Sequence, residues 1–113
     1  MSCLFCRIVA GEIPAAIVHR DDDVVAFRDI APKAPTHILF VPTRHFASLA
    51  EAHDADAGLL GTLLLRVRDV ARAEGLEGSG YRVVTNVGEH AGQSVFHLHV
   101  HLLGGRDFSW PPG

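Results

Sequence analysis

Between Val95 and Leu103 the chain reads Val-Phe-His-Leu-His-Val-His-Leu-Leu, an alternation of apolar and imidazole side chains that only an extended backbone sorts cleanly. Successive side chains of a β-strand leave by opposite faces. Phe96, Leu98, Val100 and Leu102 therefore share one side, and His97, His99 and His101 the other, with neighbouring imidazoles about 6.5 Å apart. One histidine on such a strand would be an ordinary solvated position. Three in strict alternation make a polar row on the most apolar strand of the chain.

The rest of the pattern says what that strand packs with. Ala57, Leu60, Leu63, Leu64, Val67, Val70 and Ala71 recur at helical spacing, predicting a long helix from about Asp54, as N-cap, to Glu74, with Gly75 as the stop. A short helix over residues 2–10 presents Leu4, Phe5, Ile8 and Val9 on its apolar side and stops at Gly11 and Pro14. Ala16 to His19 and Val24 to Arg28 read as a hairpin around an acidic turn, and the β-branched and aromatic run Thr36 to Pro42 as a buried strand. Tyr81 to Val87 and Val95 to Leu103 complete the strands, and the tail GGRDFSWPPG holds no regular element. The order is helix, hairpin, strand, long helix, two strands. That predicts an α+β domain over residues 1–113, with a five-stranded, mostly antiparallel sheet.

Composition narrows the function. With 48% apolar and 20% charged residues in 113, the chain needs no disulfide staple to fold. A formal charge of −3 excludes broad nucleic-acid binding, which needs a basic face to displace phosphate counterions. No apolar run approaches the roughly 18 residues of a membrane helix, and the start MSCLFCRIVAGEIP carries no leader pattern, so a cytoplasmic protein is expected.

Neutral imidazole is a nucleophile at physiological pH, and a protonated neighbour offers charge to an anion. Two histidines spaced i, i+2 on a strand also suit a metal. The loop before the row, Gly88 to Ser94, favours an anion: it has glycine flexibility, backbone N–H groups and the donors Gln93 and Ser94, with Asn86 just upstream. Cys3 and Cys6 form a C-x-x-C pair, readable as half a zinc site, a redox pair or inert thiols. His53 and His90 fall in loops and read as solvated, and Asp21 to Asp23 as a turn rather than a cation site.

The run Gly92 to Arg106 with its three alternating histidines, the ending Trp110-Pro111-Pro112-Gly113, Phe27-Arg28-Asp29-Ile30 with Pro32, Ala34-Pro35-Thr36-His37 and Gly80-Tyr81-Arg82-Val83-Val84 together resemble the histidine triad (HIT) family, specifically its Hint branch. The resemblance spans essentially the whole chain. It implies hydrolysis of purine nucleoside phosphoramidates, aminoacyl- or lysyl-adenylate-like substrates included, with His99 as the nucleophile. His101, Ser94 and Asn86 would contact the α-phosphate beside the Gly92–Gln93 backbone, and His97 would orient the row. Asp29 would hold the ribose hydroxyls, and Leu4, Phe5, Ile8, Phe27 and Ile30 would line a purine pocket. His37 would support the triad from behind. No cofactor is implied for the chemistry, but some prokaryotic members imply a structural zinc on Cys3, Cys6, His45 and His97. The resemblance further implies a homodimer whose sheets join edge to edge through the strand after the long helix, bringing Trp110 near the partner's site. Cleavage of dinucleoside polyphosphates, or a nucleotide-binding or zinc-bearing adaptor role, are the alternatives.

Overall fold

The Asp21 side chain closes the first turn of the sheet: its Oδ1 accepts the backbone N–H groups of Asp23 (2.8 Å) and Val24 (2.9 Å). An acidic residue that hydrogen-bonds its own backbone a few positions on is a turn former, so the acidic run is structural. In the computed structural model, which describes residues 3–113, this turn joins β1 (Ile17–Arg20) to β2 (Val24–Arg28). β3 (Thr36–Pro42) follows, then the long helix, β4 (Tyr81–Val84) and β5 (Val100–Gly104). The strand order is β1-β2-β3-β5-β4, and every neighbouring pair is antiparallel. β3 lies at the centre, and its residues from His37 to Pro42 are buried.

Two helices cover the sheet. The long helix α2 (Ala57–Ala73) lays Leu63, Val67, Val70 and Ala71 on Val24, Ala26, Ile38, Phe40, Leu98, Val100 and Leu102, the side chains of one sheet face. On the other face Val25, Phe27, Leu39 and Val41 meet Phe5 and Ile8 of the short helix α1 (Leu4–Val9). α1 covers only one end of that face, and the site lies beside it.

Several boundaries differ from the sequence reading. Ser2, the expected start of the first helix, lies outside the described residues, and α1 begins at Leu4 with Cys3 as its N-cap. The first hairpin strand is displaced by a residue and includes Arg20. Asp54 opens a short 3-10 turn (Asp54–Asp56) and Asp56 takes the cap position of α2. Leu64, expected on the buried stripe, is 55% exposed, and Ala57 is exposed too. β4 ends at Val84 because Thr85 turns its hydroxyl onto the carbonyl of His99 (2.8 Å) and leaves the ladder.

The largest correction concerns the histidine row itself. Only residues from Val100 onward pair as a strand; residues 95–99 run without ladder bonds, so of the row only His101 lies on a strand. The alternation survives because the segment is held by other bonds, Leu98 N–H to the carbonyl of Phe46 (2.8 Å) and the His97 ring to the carbonyl of Pro42. Leu98 still enters the core and Phe96 does not, being 49% exposed.

Candidate active site and metal cluster

Each ring of the row is set by one bond. His99 Nδ1 lies 2.8 Å from the carbonyl oxygen of His97; a carbonyl only accepts, so Nδ1 carries a proton and in the neutral ring the lone pair is on Nε2. His97 Nε2 lies 2.8 Å from the carbonyl of Pro42, so there the proton is on Nε2 and Nδ1 carries the lone pair. His101 is set at second hand. The backbone N–H of Lys33 donates to His37 Nδ1 (3.0 Å), so neutral His37 bears its proton on Nε2 and gives it to His101 Nδ1 (2.9 Å). His101 must then hold its own proton on Nε2. Neighbouring rings of one row thus show opposite faces, a lone pair on His99 Nε2 and an N–H on His101 Nε2, with ring centroids 5.1 Å apart.

The register explains how His37 reaches His101. Leu39 and Val84 stand directly across from His101, and His37 lies two residues from Leu39 on the same face, the diagonal neighbour. Asp29 Oδ2 is 3.5 Å from His37 Nε2. Burial pushes the His101 pKa down to about 4, and the like charges that His99 and His37 would carry push the same way. Burial lowers His37 as well, with Asp29 opposing and Lys33 assisting. His101 is therefore a neutral donor across the physiological range.

Beside these rings opens a cavity of about 280 Å³, near the lower end of the range for small-molecule sites. Leu4, Phe5, Ile8, Phe27 and Ile30 line it, with Asp29, Ser94, His99 and His101 on its polar side. Phe5 stands edge-on to His99 with centroids 5.0 Å apart, and edge-on to Phe27 at 5.4 Å. Ile13, Pro14, Ala15 and Leu39 also line it; nothing in their local sequence marks them as such. Ile30 is fully exposed at the rim, Leu4 is 46% exposed, and Ser94 is exposed at the mouth.

Other expected residues stand elsewhere. Asn86 lines a neighbouring recess that shares His101 with the cavity. Gln93 is buried and its amide is fully engaged: Oε1 accepts Gly88 N–H (2.8 Å), while Nε2 donates to the carbonyls of Ala47 (2.6 Å) and Val95 (3.1 Å). It braces the loop from within. Gly92 closes that loop with φ of 95°, a left-handed conformation that favours glycine. Trp110 is 82% exposed and lines neither cavity, and His53 and His90 are exposed. Thr85 was invisible to motif reading, yet it pins the backbone of His99.

At the other end of the row, His97 Nδ1 has Cys3 Sγ at 3.5 Å, Cys6 Sγ at 3.5 Å and His45 Nδ1 at 3.1 Å, and Cys6 Sγ is 3.3 Å from His45 Nδ1. One lone pair cannot satisfy three neighbours by hydrogen bonds. A cation at their centre satisfies all of them, and tetrahedral zinc with two sulfur and two nitrogen ligands sets N–S edges of about 3.5 Å and an N–N edge of about 3.3 Å. The donors present fit that ion. His97 is completely buried and presents the deprotonated nitrogen that a metal needs.

A family model described as HIT domain matches residues 10–108 of the chain. The chain belongs to the HIT family. A HIT-like protein of Synechococcus elongatus is 54% identical over 110 residues, covering 97% of this chain and 96% of that protein. A Zea mays protein named as a 14 kDa zinc-binding protein is 51% identical over 112 residues, 97% of this chain and 87% of that one. Among solved structures, a HIT family hydrolase from Legionella pneumophila superposes with a TM-score of 0.98 at 52% identity, covering 99% of this chain and 100% of that one. A histidine triad nucleotide-binding protein from Candida albicans gives 0.84 at 32% identity, over 99% of this chain and 85% of that one. The α+β HIT fold, with its five-stranded antiparallel sheet and one long helix, is thereby shown. Among the described residues no helix is long and apolar enough to cross a membrane.

Proposed function

We propose that this HIT protein hydrolyses purine nucleoside 5′-phosphoramidates through a covalent nucleotidyl intermediate on His99. The observation that carries this reading is the opposed pair of rings at the cavity: a lone pair on His99 Nε2 beside an N–H on His101 Nε2. A base enters the apolar end between Leu4, Phe5, Ile8, Phe27 and Ile30, the ribose hydroxyls donate to Asp29, and the α-phosphorus stands before His99. The His99 Nε2–phosphorus bond forms as the phosphorus–nitrogen bond breaks. His101 donates to a phosphoryl oxygen as charge builds there, and its fixed tautomer costs no reorganisation at that moment. Ser94, whose hydroxyl both donates and accepts, passes a solvent proton to the departing amine. Water then cleaves the intermediate, releasing the nucleoside monophosphate.

His97 serves both ends of the site: its carbonyl orients His99, and its ring joins Cys3, Cys6 and His45 around a structural zinc. Bound there, zinc supplies cross-linking of α1 to the loop carrying His45 and to the row, and it takes no part in phosphoryl transfer. The Zea mays relative's name and the donor geometry support this assignment. The same reading makes the whole chain one HIT domain that acts in the cytoplasm as a homodimer. β4 lies at the sheet edge with Tyr81 and Val83 exposed, and Leu64 and Leu65 are exposed on α2, so a second copy would cover apolar surface and an unpaired edge. The test is release of AMP from adenosine 5′-phosphoramidate by the purified protein, run beside a dinucleoside polyphosphate and beside His99→Asn. The reading expects phosphoramidate turnover that the variant lacks. Preference for the polyphosphate, or turnover by the variant, refutes it.

A further inference from the structure

The backbone that carries His99 is held by side chains and loops rather than by the sheet. β4 stops at Val84, which stands across from His101, and β5 starts at Val100, so residues 95–99 pair with neither neighbouring strand. Continued by two residues, the register of β4 on β5 would set Asn86 across from His99. Instead the strand ends, and the Thr85 hydroxyl donates to the His99 carbonyl (2.8 Å). One residue upstream the Leu98 N–H donates to the carbonyl of Phe46 (2.8 Å). The His99 ring adds no anchor to the rest of the fold through its Nδ1, because that N–H bonds the carbonyl of His97 on the same unpaired stretch.

Packing alone would put a valine at position 85. Thr85 lines a recess of about 200 Å³ on the α2 side of the sheet, and every other residue lining it is leucine or valine, Leu98 and Val100 on either side of His99 among them. A hydroxyl in such surroundings is unfavourable unless it is bonded, and the β-branch leaves it few rotamers. The bond to the His99 carbonyl is what the hydroxyl supplies. Should a second copy cover this recess, the bond still lies within one chain and gains from drier surroundings. Thr85 does not line the nucleotide cavity, so it reaches the site only through the backbone of His99.

We infer that Thr85 is a positioning residue for the nucleophile: its hydroxyl holds the His99 backbone in register with β5, so that the His99 and His101 rings face one phosphorus. The assignment rests on the hydrolase reading proposed above. His101 is fixed by its place on β5 and by His37, whereas His99 sits one residue before the strand and depends on Thr85 and the Leu98 bond for its place beside it. The base and ribose meet α1, Phe27, Asp29 and Ile30, none of which Thr85 holds, so losing the hydroxyl acts on the chemical step and spares binding. A misplacement of 1 Å can cost about 10²-fold in rate. A backbone freed at His99 but still held at Leu98 shifts by less, which sets the expected loss at about tenfold.

Thr85→Val keeps the shape and removes the donor, and Thr85→Ser keeps the donor and removes the methyl. Steady-state turnover of adenosine 5′-phosphoramidate gives kcat and KM for both beside the wild type, and calorimetry gives their affinity for AMP. Histidine-selective NMR follows the His99 ring signals, identified by their absence from His99→Asn. Thr85→Val loses about tenfold in kcat, keeps KM and AMP affinity within about twofold, and displaces the His99 signals. Thr85→Ser stays within about threefold of the wild-type kcat and returns the signals. If Thr85→Val does not fold, Thr85→Ala replaces it, since alanine and serine differ only by the hydroxyl. Unchanged kcat without the donor, an equal loss with and without it, or a kcat loss with unmoved His99 signals overturns the assignment. So does a parallel worsening of kcat, KM and AMP affinity, which marks a general loosening of the fold. A wild type that does not turn over the phosphoramidate refutes the hydrolase reading and the assignment with it; wild-type turnover that is indifferent to the hydroxyl removes the assignment alone.

Discussion

Replacing Phe5 with alanine removes the side chain that ties α1 to the site. Phe5 is only 5% exposed, and it packs edge-on against both Phe27 and His99. Truncating a buried phenylalanine costs about 3–5 kcal/mol. In protein stripped of the proposed zinc by a chelator, a six-residue helix has no stability of its own to set against that loss, so α1 should detach locally while the sheet stays folded. At 1.4 kcal/mol per tenfold, hydrogen-exchange protection of the Arg7 and Ala10 amides, which bond to the carbonyls of Cys3 and Cys6, should fall by about 10²–10³. Protection in β3 should hold. Nucleotide affinity should drop with it, because α1 forms one wall of the cavity. Unchanged protection in α1, or unchanged affinity after α1 has loosened, would refute the claim that Phe5 docking builds the pocket.

Other outcomes follow from the same geometry. Protein purified without chelator should carry about one zinc per chain by elemental analysis, and Cys6→Ser should lose it and melt at a lower temperature. His101 ionises near 4 when folded and near 6.5 when unfolded, and between those values the unfolded chain binds more protons. Its contribution is therefore fully present above about pH 6.5 and lost as the pH falls through 4, so urea midpoints should decline over that window and the decline should be smaller in His101→Gln. At Gly105, with φ of 89°, an added Cβ would sit 2.9 Å from Pro35 Cβ, so Gly105→Ala should cost roughly 1–3 kcal/mol in denaturant unfolding.

Strands with a strong period were legible because burial on both faces leaves them little choice: Thr36 to Pro42 and Val24 to Arg28 stand where their β-branched runs put them. The histidine row was legible as a face but not as a strand. Alternation records which side chains enter the core, and Leu98 enters it through a bond to Phe46 rather than through a ladder. The meeting of Cys3 and Cys6 with His45 and His97 came from resemblance, since nothing local to either segment says that α1 lies beside the row. Backbone partners were beyond reach altogether. The carbonyls of His97 and Pro42 and the N–H of Lys33 settle the tautomers, and sequence carries no mark of which carbonyl faces which ring.

The most direct measurement is intact-protein and peptide mass spectrometry of enzyme acid-quenched during turnover of an adenosine phosphoramidate. The account predicts an added adenylyl group on the peptide holding His99, located on that ring and missing from His99→Asn. Turnover that proceeds while His99 stays unmodified, with the group on another side chain or on none, would contradict it.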